Sequence, residues 1–377
     1  MTDEQTESEY IRLAKRYNNS KRKYLLVNPV QGKHVPVEPK RSFAFMDELA
    51  EKLRAACGAV DIIISFAETS TAIGARVAGF FPQSFYVQTT RENIGEERDC
   101  LFFSEEHSHA AAQRLFVGEL EKHVVPHASV VLLDDEITTG RTVINLVEQL
   151  RERFPLLMDA RLICTSVVNR MSPENEEAFR ERGIDCVSLL KLPFEDYTGL
   201  VDGLPAGAPA EPGGLVAGGA WERLFAFTAL PEPRCGVSSS EYHTRCGMFA
   251  DELCESFSEL RGKILVLGTE EYMYPAMLFA DRLKEQTGAE VYFHATTRSP
   301  IGVLDAEGYP IRNGYRIPSA YESARETYIY DLARYDAAVL VSDGEKTDAL
   351  LRELGGLLTG FGCGKLFYVR GKSVRDL

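Results

Sequence analysis

The chain has 377 residues, 45% hydrophobic and 26% charged, an ordinary globular balance with room for two domains. Its net charge of −14 argues against unspecific binding to nucleic acid or to an anionic membrane. No stretch reaches the ~18 apolar residues of a membrane span, and Met1–Ser8 is acidic rather than signal-like, so a cytoplasmic protein is expected.

Tyr10–Tyr17 reads as a short charged helix, Tyr24–Asn28 as a strand, and Pro29–Pro36 as a loop of turn formers carrying Lys33 and His34. A helix from Ser42 to Cys57 precedes the strand Val60–Ser65, the loop Phe66–Thr71 and a small-residue helix Ala72–Ala78. Ser84–Gln88, Val130–Leu133 and Ala160–Ser166 are further strands, and Val143–Arg153 is an amphipathic helix. This alternation predicts a parallel α/β sheet with right-handed crossovers. Ligands of such sheets sit beyond the carboxyl ends of the strands, which places Glu68, Thr69, Arg91 and Asp134 in one crevice.

The stretch Gly199–Gly219 changes character, and its Pro-, Ala- and Gly-rich run reads as a linker. The expected division is therefore a first domain over 1–198, a linker region over 199–235, and a second α/β domain over 236–377. In the second domain, strands are expected at Lys263–Gly268, Val291–His294, Ala337–Ser342 and Lys365–Val369, with a helix Tyr274–Gln286. The eight cysteines show neither a C-x-x-C pair nor a metal-ligand spacing. Cys57 and Cys164, like most of them, sit in apolar or helical contexts that suit small buried side chains in a reducing compartment.

The most informative string is Val130-Val-Leu-Leu-Asp-Asp-Glu-Ile-Thr-Thr-Gly-Arg-Thr142. A buried strand runs into Asp134 and Asp135, and Thr138, Thr139, Gly140 and Thr142 fall where a turn meets a helix N-terminus. Backbone N–H groups and the helix dipole attract phosphate there, while the paired acids suit sugar hydroxyls. Acceptors for a diol beside a phosphate cradle fit a ribose 5-phosphate; a strand followed by a capped helix is the plainer alternative.

This string resembles the phosphoribosyl-pyrophosphate (PRPP) loop of type I phosphoribosyltransferases. The resemblance implies that Asp134 and Asp135 hold the ribose 2- and 3-hydroxyls, and that Thr138, Thr139, Gly140, Arg141 and Thr142 wrap the 5-phosphate. It also implies Mg²⁺, reached by Asp134 and Asp135 mostly through substrate and water. Glu136 departs from the family pattern, which has an apolar residue at that position; it either assists Mg²⁺ or faces solvent.

Ala67-Glu-Thr-Ser-Thr71 follows a buried strand and opens a helix, as a second anion cradle would, or simply as a capped helix start. In the family the corresponding loop holds pyrophosphate, implying that role for Ala67, Glu68 and Thr69, although Glu68 suits Mg²⁺ or an amine better than phosphate. Arg91 suits bidentate pairing with pyrophosphate, or a surface pair with Glu92. Glu105, Glu106, His107 and His109 lie where the family carries a mobile cover. A glutamate there could accept the acceptor's proton and a histidine could donate to the leaving group; a metal site or a solvated loop are the alternatives.

In the second domain, Glu270 and Glu271 follow one strand, and Thr296, Thr297, Arg298 and Ser299 follow the next. The threonines, Arg298 and Ser299 read as an anion site, and the two acids as a partner for a cation, amine or hydroxyl; helix capping is the plain alternative. Together with Gln31–His34, Glu105–Ala110 and Tyr328–Asp331, these residues resemble a domain named for its Thr-Arg-Ser-Pro motif. That domain is found fused behind a divergent phosphoribosyltransferase in bacterial tellurite-resistance-type stress gene clusters.

The expected architecture is thus α/β, a type I phosphoribosyltransferase fold followed by a smaller Rossmann-like α/β domain. The expected activity is transfer of ribose 5-phosphate from PRPP to a small nitrogenous acceptor with release of pyrophosphate, in a nucleoside-like biosynthetic or stress-response pathway. A sensor of PRPP or nucleotide without transfer activity is the main alternative, and phosphoribohydrolysis or phosphoryl chemistry a lesser one. The acceptor would be selected by a hood segment near Asn28–Val37, no nucleic-acid or membrane partner is expected, and a homodimer is one assembly the resemblance allows.

Overall fold

Ile62–Ser65 and Ser129–Ile137 lie side by side and parallel, and Ile62–Ile64 and Val130–Leu133 are buried because both faces of the sheet are covered. They are the middle of a six-stranded sheet in the computed structural model, which describes residues 9–19, 22–92, 94, 99–103, 113–212, 219–322, 324–345 and 347–373. The chain forms two compact units. The first comprises the described residues of Phe43–Glu195 and Pro231–Arg245; the second comprises those of Met1–Ser42, Asp196–Leu230 and Cys246–Asp376. This departs from the expected boundaries at both ends of the first domain.

In the first unit the strand order is Val237–Ser238, Phe85–Gln88, Ile62–Ser65, Ser129–Ile137, Arg161–Asn169, Ile184–Lys191. All neighbours are parallel except the first pair. Helices Arg141–Arg153 and Pro173–Glu181 pack Leu146, Leu150 and Phe179 against Leu132 and Cys164. After Ile62–Ser65 the chain adds one strand on one side and then returns to the other. The direction of winding therefore reverses between Ile62–Ser65 and Ser129–Ile137, and ligands of such sheets bind beyond the carboxyl ends of the strands at that point.

In the second unit five parallel strands run in the order Trp221–Leu230, Lys365–Ser373, Ala337–Ser342, Lys263–Gly268, Glu290–Ala295. Helices Tyr274–Thr287 and Thr347–Gly360 belong to it, with Leu265, Leu340, Leu354 and Leu358 in its core. Trp221–Leu230 falls inside the expected linker and is a full edge strand. Tyr10–Tyr17 is not a helix: Arg12–Lys15 pairs antiparallel with Tyr24–Val27. Ala14, Leu25 and Val27 are then buried with Ile301 and Tyr330, a gain that outweighs local helix propensity.

Asn28–Val37, expected in the first domain, is likewise built into the second unit. Val37 and Phe293 exchange main-chain hydrogen bonds of 2.9 and 2.8 Å. Gly32 sits at φ +76°, and a Cβ there would lie 2.5 Å from the Phe293 ring, so only glycine fits the approach. Among the described residues no helix is long and apolar enough to cross a membrane.

Candidate functional site

The Ser129–Ile137 strand is longer than its apolar run, because its ladder with Arg161–Asn169 continues through Asp134↔Ser166 and Glu136↔Val168 to Ile137↔Asn169. Asp134 and Glu136 therefore share one face of the strand and Asp135 takes the other. All three acids are half-buried. The Asp135 amide donates to Asp134 Oδ1 at 2.9 Å.

Gly140 ends the turn at φ +69° and leads into the helix Arg141–Arg153. A Cβ at Gly140 would lie 2.2 Å from Phe179 Cε1, so sterics as well as backbone conformation demand glycine. Thr138, Thr139 and Thr142 are half-buried and Arg141 is exposed. Their amides lie at a helix N-terminus, where N–H groups lack intrahelical partners.

The neighbouring loop is stitched to the same strand. Leu133 O, one residue before Asp134, accepts from the Phe66 amide at 2.9 Å and from Ser70 Oγ at 3.2 Å. The Ala67–Glu68 peptide bond is cis. Ala67 N donates to Thr89 Oγ1 at 2.8 Å, and Thr71 Oγ1 donates to Glu68 O at 3.1 Å. A Cβ at Gly74 would lie 2.3 Å from Ser65 Cβ, so the helix Thr71–Ala78 packs directly on the end of the Ile62–Ser65 strand. Thr89 N donates to Ser65 O at 2.8 Å, and Thr90 exchanges main-chain bonds with Arg114. Arg114 also donates to Arg91 O at 3.3 Å. The turn at Thr138–Thr142, the loop Ala67–Thr71 and the segment Thr89–Arg91 thus leave adjacent strands side by side, as the sequence leads one to expect.

Glu136 has a specific partner instead of solvent: Arg170 donates to its Oε1 at 2.9 Å, and the Arg170 side chain is fully buried. Arg170 also donates to Glu195 O. Thr89 and Gln113 escaped sequence reasoning, yet the Thr89 hydroxyl joins Gln113 Oε1 to the Ala67 amide. Only the spacing of Thr89 from a strand end could have signalled it. Glu105, Glu106, His107 and His109 lie outside the described residues.

Cys164 is buried as expected, but Cys57 is half-buried and Cys186 exposed. Burial, then Cys186 and Asp134, push the Cys164 thiol well up, so it is an inert core side chain rather than a nucleophile.

In the second unit the expected residues gather, with additions. Glu270 accepts on Oε2 from Arg298 Nε at 2.7 Å and from Arg325 at 3.1 Å, and on Oε1 from Ser319. Acid and base therefore engage one another instead of forming separate half-sites. The Glu270 amide donates to Thr296 Oγ1 at 3.0 Å, while Lys33 Nζ caps Glu270 O at 2.7 Å and Thr296 O at 3.1 Å. Thr297 exchanges main-chain bonds with Tyr328, and Tyr330 OH donates to Ser299 O at 2.7 Å. The Tyr328–Asp331 island is thus the clamp of the Thr296–Pro300 loop. Arg325 was not foreseen, because it sits in a hairpin outside any recognisable motif.

The family model described as phosphoribosyl transferase matches residues 10–191, and the one described as TRSP domain C-terminal to it matches residues 233–358. No curated protein matches the chain. Among solved structures the chain is similar to the adenine phosphoribosyltransferase of Trypanosoma brucei in complex with AMP, pyrophosphate and ribose-5-phosphate. The identity is 14% over 50% of this chain and 79% of that one, with a TM-score of 0.37. The enzymes of Leishmania tarentolae (18%, 52% and 90%, 0.37) and Rhodothermus marinus (16%, 51% and 99%, 0.36) are similar to a like extent. With its two matched segments in this order, the chain belongs to the family in which a phosphoribosyl transferase domain is followed by a TRSP domain.

Proposed function

We propose that the first unit transfers ribose 5-phosphate from PRPP to a small nitrogenous acceptor. The bond from ribose C1 to pyrophosphate breaks, a bond from the acceptor nitrogen to C1 forms, and the nitrogen gives up a proton. One observation carries this reading: Asp134 and Asp135 lie in the carboxyl-terminal half of the Ser129–Ile137 strand, at the point where winding reverses, between the glycine turn at Gly140 and the Ala67–Thr71 loop. That arrangement suits a sugar diol with an anionic group on either side. The match to the phosphoribosyl transferase family supports it.

Asp134 and Asp135 would hold the ribose hydroxyls, and the amides and hydroxyls of Thr138–Thr142 the 5-phosphate. The Ala67–Thr69 loop and Arg91 would face pyrophosphate. Glu105 or Glu106 would take the acceptor's proton, and His107 or His109 would donate to the leaving group. Among the described residues no three His, Cys, Asp or Glu side chains gather as a metal cage. Two half-buried carboxylates still fit Mg²⁺, which keeps its waters and binds through few protein ligands. Bound with PRPP, it would neutralise charge on pyrophosphate.

The test is pyrophosphate release from PRPP and Mg²⁺ across a panel of nitrogenous bases. Acceptor-dependent release is the expected result; PRPP binding with no release for any acceptor would make the protein a sensor instead.

A further inference from the structure

A chain of hydrogen bonds in the first unit runs in one direction from the start of the Ala67–Thr71 loop. The Ala67 amide donates to Thr89 Oγ1 at 2.8 Å, and the Thr89 hydroxyl in turn donates to Gln113 Oε1 at 2.5 Å. Thr89 and Gln113 are both buried. The amide occupies a lone pair of the hydroxyl oxygen, so the single hydroxyl proton is committed to Gln113. Bonds aligned head to tail in a dry interior strengthen one another and fix the groups they join.

Leucine would fill the place of Gln113 without the cost of burying an amide, so packing does not account for the polar side chain. Its position does. Gln113 opens the strand Gln113–Phe116, which pairs antiparallel with Cys100–Phe103 and is anchored in the core by Leu115 and Phe103. The Phe103 ring meets Phe66, the residue before Ala67, edge to face at 5.9 Å. The next residue, Arg114, exchanges main-chain bonds with Thr90 and donates to Arg91 O. One short strand therefore grips both the Ala67–Thr71 loop and the segment that carries Arg91. Ser70 and Thr71 bond Phe66 O and Glu68 O from within the loop and give it its shape. The Thr89–Gln113 arm reaches it from two other elements and sets where its start stands.

We infer that Gln113 is a positioning residue for pyrophosphate recognition: acting through Thr89, it holds the Ala67 amide and with it the loop that receives the anion. The inference rests on the proposed role of Ala67–Thr69 and Arg91 as the pyrophosphate side of the site. Without Gln113 Oε1, the Thr89 hydroxyl turns to other acceptors and the Ala67 N–H loses a fixed partner. The loop then samples more than one arrangement, and binding must first order it, which lowers affinity. The ribose side, at Asp134, Asp135 and Thr138–Thr142, is built on the Ser129–Ile137 strand and its following helix, and stays intact.

The test is calorimetric titration of the full-length chain, with Mg²⁺ present, using inorganic pyrophosphate and, separately, ribose 5-phosphate. Gln113→Leu and Thr89→Val should each weaken pyrophosphate binding about tenfold, and the double variant no further, since both break one chain. Thr89→Ser, which keeps the hydroxyl, should bind pyrophosphate like the wild type. Ribose 5-phosphate should bind every variant with unchanged affinity, which separates positioning of the loop from general damage to the fold. Single variants that bind pyrophosphate as tightly as the wild type, or that lose both ligands alike, would overturn the inference. Wild-type protein that binds ribose 5-phosphate but not pyrophosphate would overturn it as well. Binding of neither would remove the phosphoribosyl reading, and the inference with it.

Discussion

Lys33 Nζ donates over 2.7 Å to the main-chain carbonyl of Glu270, a residue 237 positions further along the chain. The N-terminal segment is therefore an integral part of the second unit. Lys33→Met removes charge-assisted bonds to two carbonyls and leaves both buried, which should cost roughly 2–4 kcal/mol. Urea unfolding followed by the signal of Trp221 in this unit would report it; an unchanged midpoint would contradict the assignment.

Gly140 should tolerate no side chain. Gly140→Ala places a Cβ in the Phe179 ring at φ +69°, so a loss of roughly 1–3 kcal/mol is expected from strain and overpacking together. Adding Phe179→Leu should return only the steric share. Thermal unfolding of both variants checks this, and a neutral single variant would count against the turn.

Glu136 bonds to the buried Arg170, which gives a carboxylate at this position a structural partner. Arg170→Met should destabilise by about 3 kcal/mol, since it leaves Glu136 without its buried cation, and Glu136→Leu in the same chain should recover much of that loss. Glu136→Gln should leave the Mg²⁺ dependence of PRPP binding unaltered. A shifted Mg²⁺ requirement in a titration calorimeter would make Glu136 a participant at the metal instead.

His294 supplies a pH signature for the second unit. Its ring is fully buried; burial drives the pKa down from 6.5 to about 4 against the opposing bond to Gly32 O. The Tyr330 amide donates to Nε2, so Nδ1 carries the proton toward Gly32 O. The unfolded chain then binds the proton more readily, and stability present above pH 6.5 is lost as pH falls toward 4. The loss amounts to about 3 kcal/mol for this group. His294→Gln should flatten unfolding free energy against pH over that window; an equal slope in variant and wild type would refute it.

Much of this was legible in the sequence, for physical reasons. Val130–Leu133 and Lys263–Gly268 are runs of strand formers buried on both faces, and such runs announce themselves whatever surrounds them. The strand-end loops follow from topology alone. Arg12–Lys15 was not legible, because its strand state depends on Tyr24–Val27 and on Ile301, far away in the chain. Trp221–Leu230 was hidden as an edge strand that leaves Phe225 and Phe227 exposed, next to a glycine- and proline-rich stretch. The Glu270–Arg298 pair was foreseen as two separate groups; only the bend at Glu270, at positive φ, turns its carboxylate onto both arginines.

The most direct test of the first unit is calorimetric titration with PRPP in the presence of Mg²⁺, for the wild type and for Asp134→Asn and Asp135→Asn. Each substitution removes an ionised acceptor for a ribose hydroxyl, so affinity should fall about tenfold to a hundredfold while the unfolding midpoint stays put. Wild-type protein that takes up no PRPP, or variants that bind it as tightly, would contradict the sugar-phosphate site.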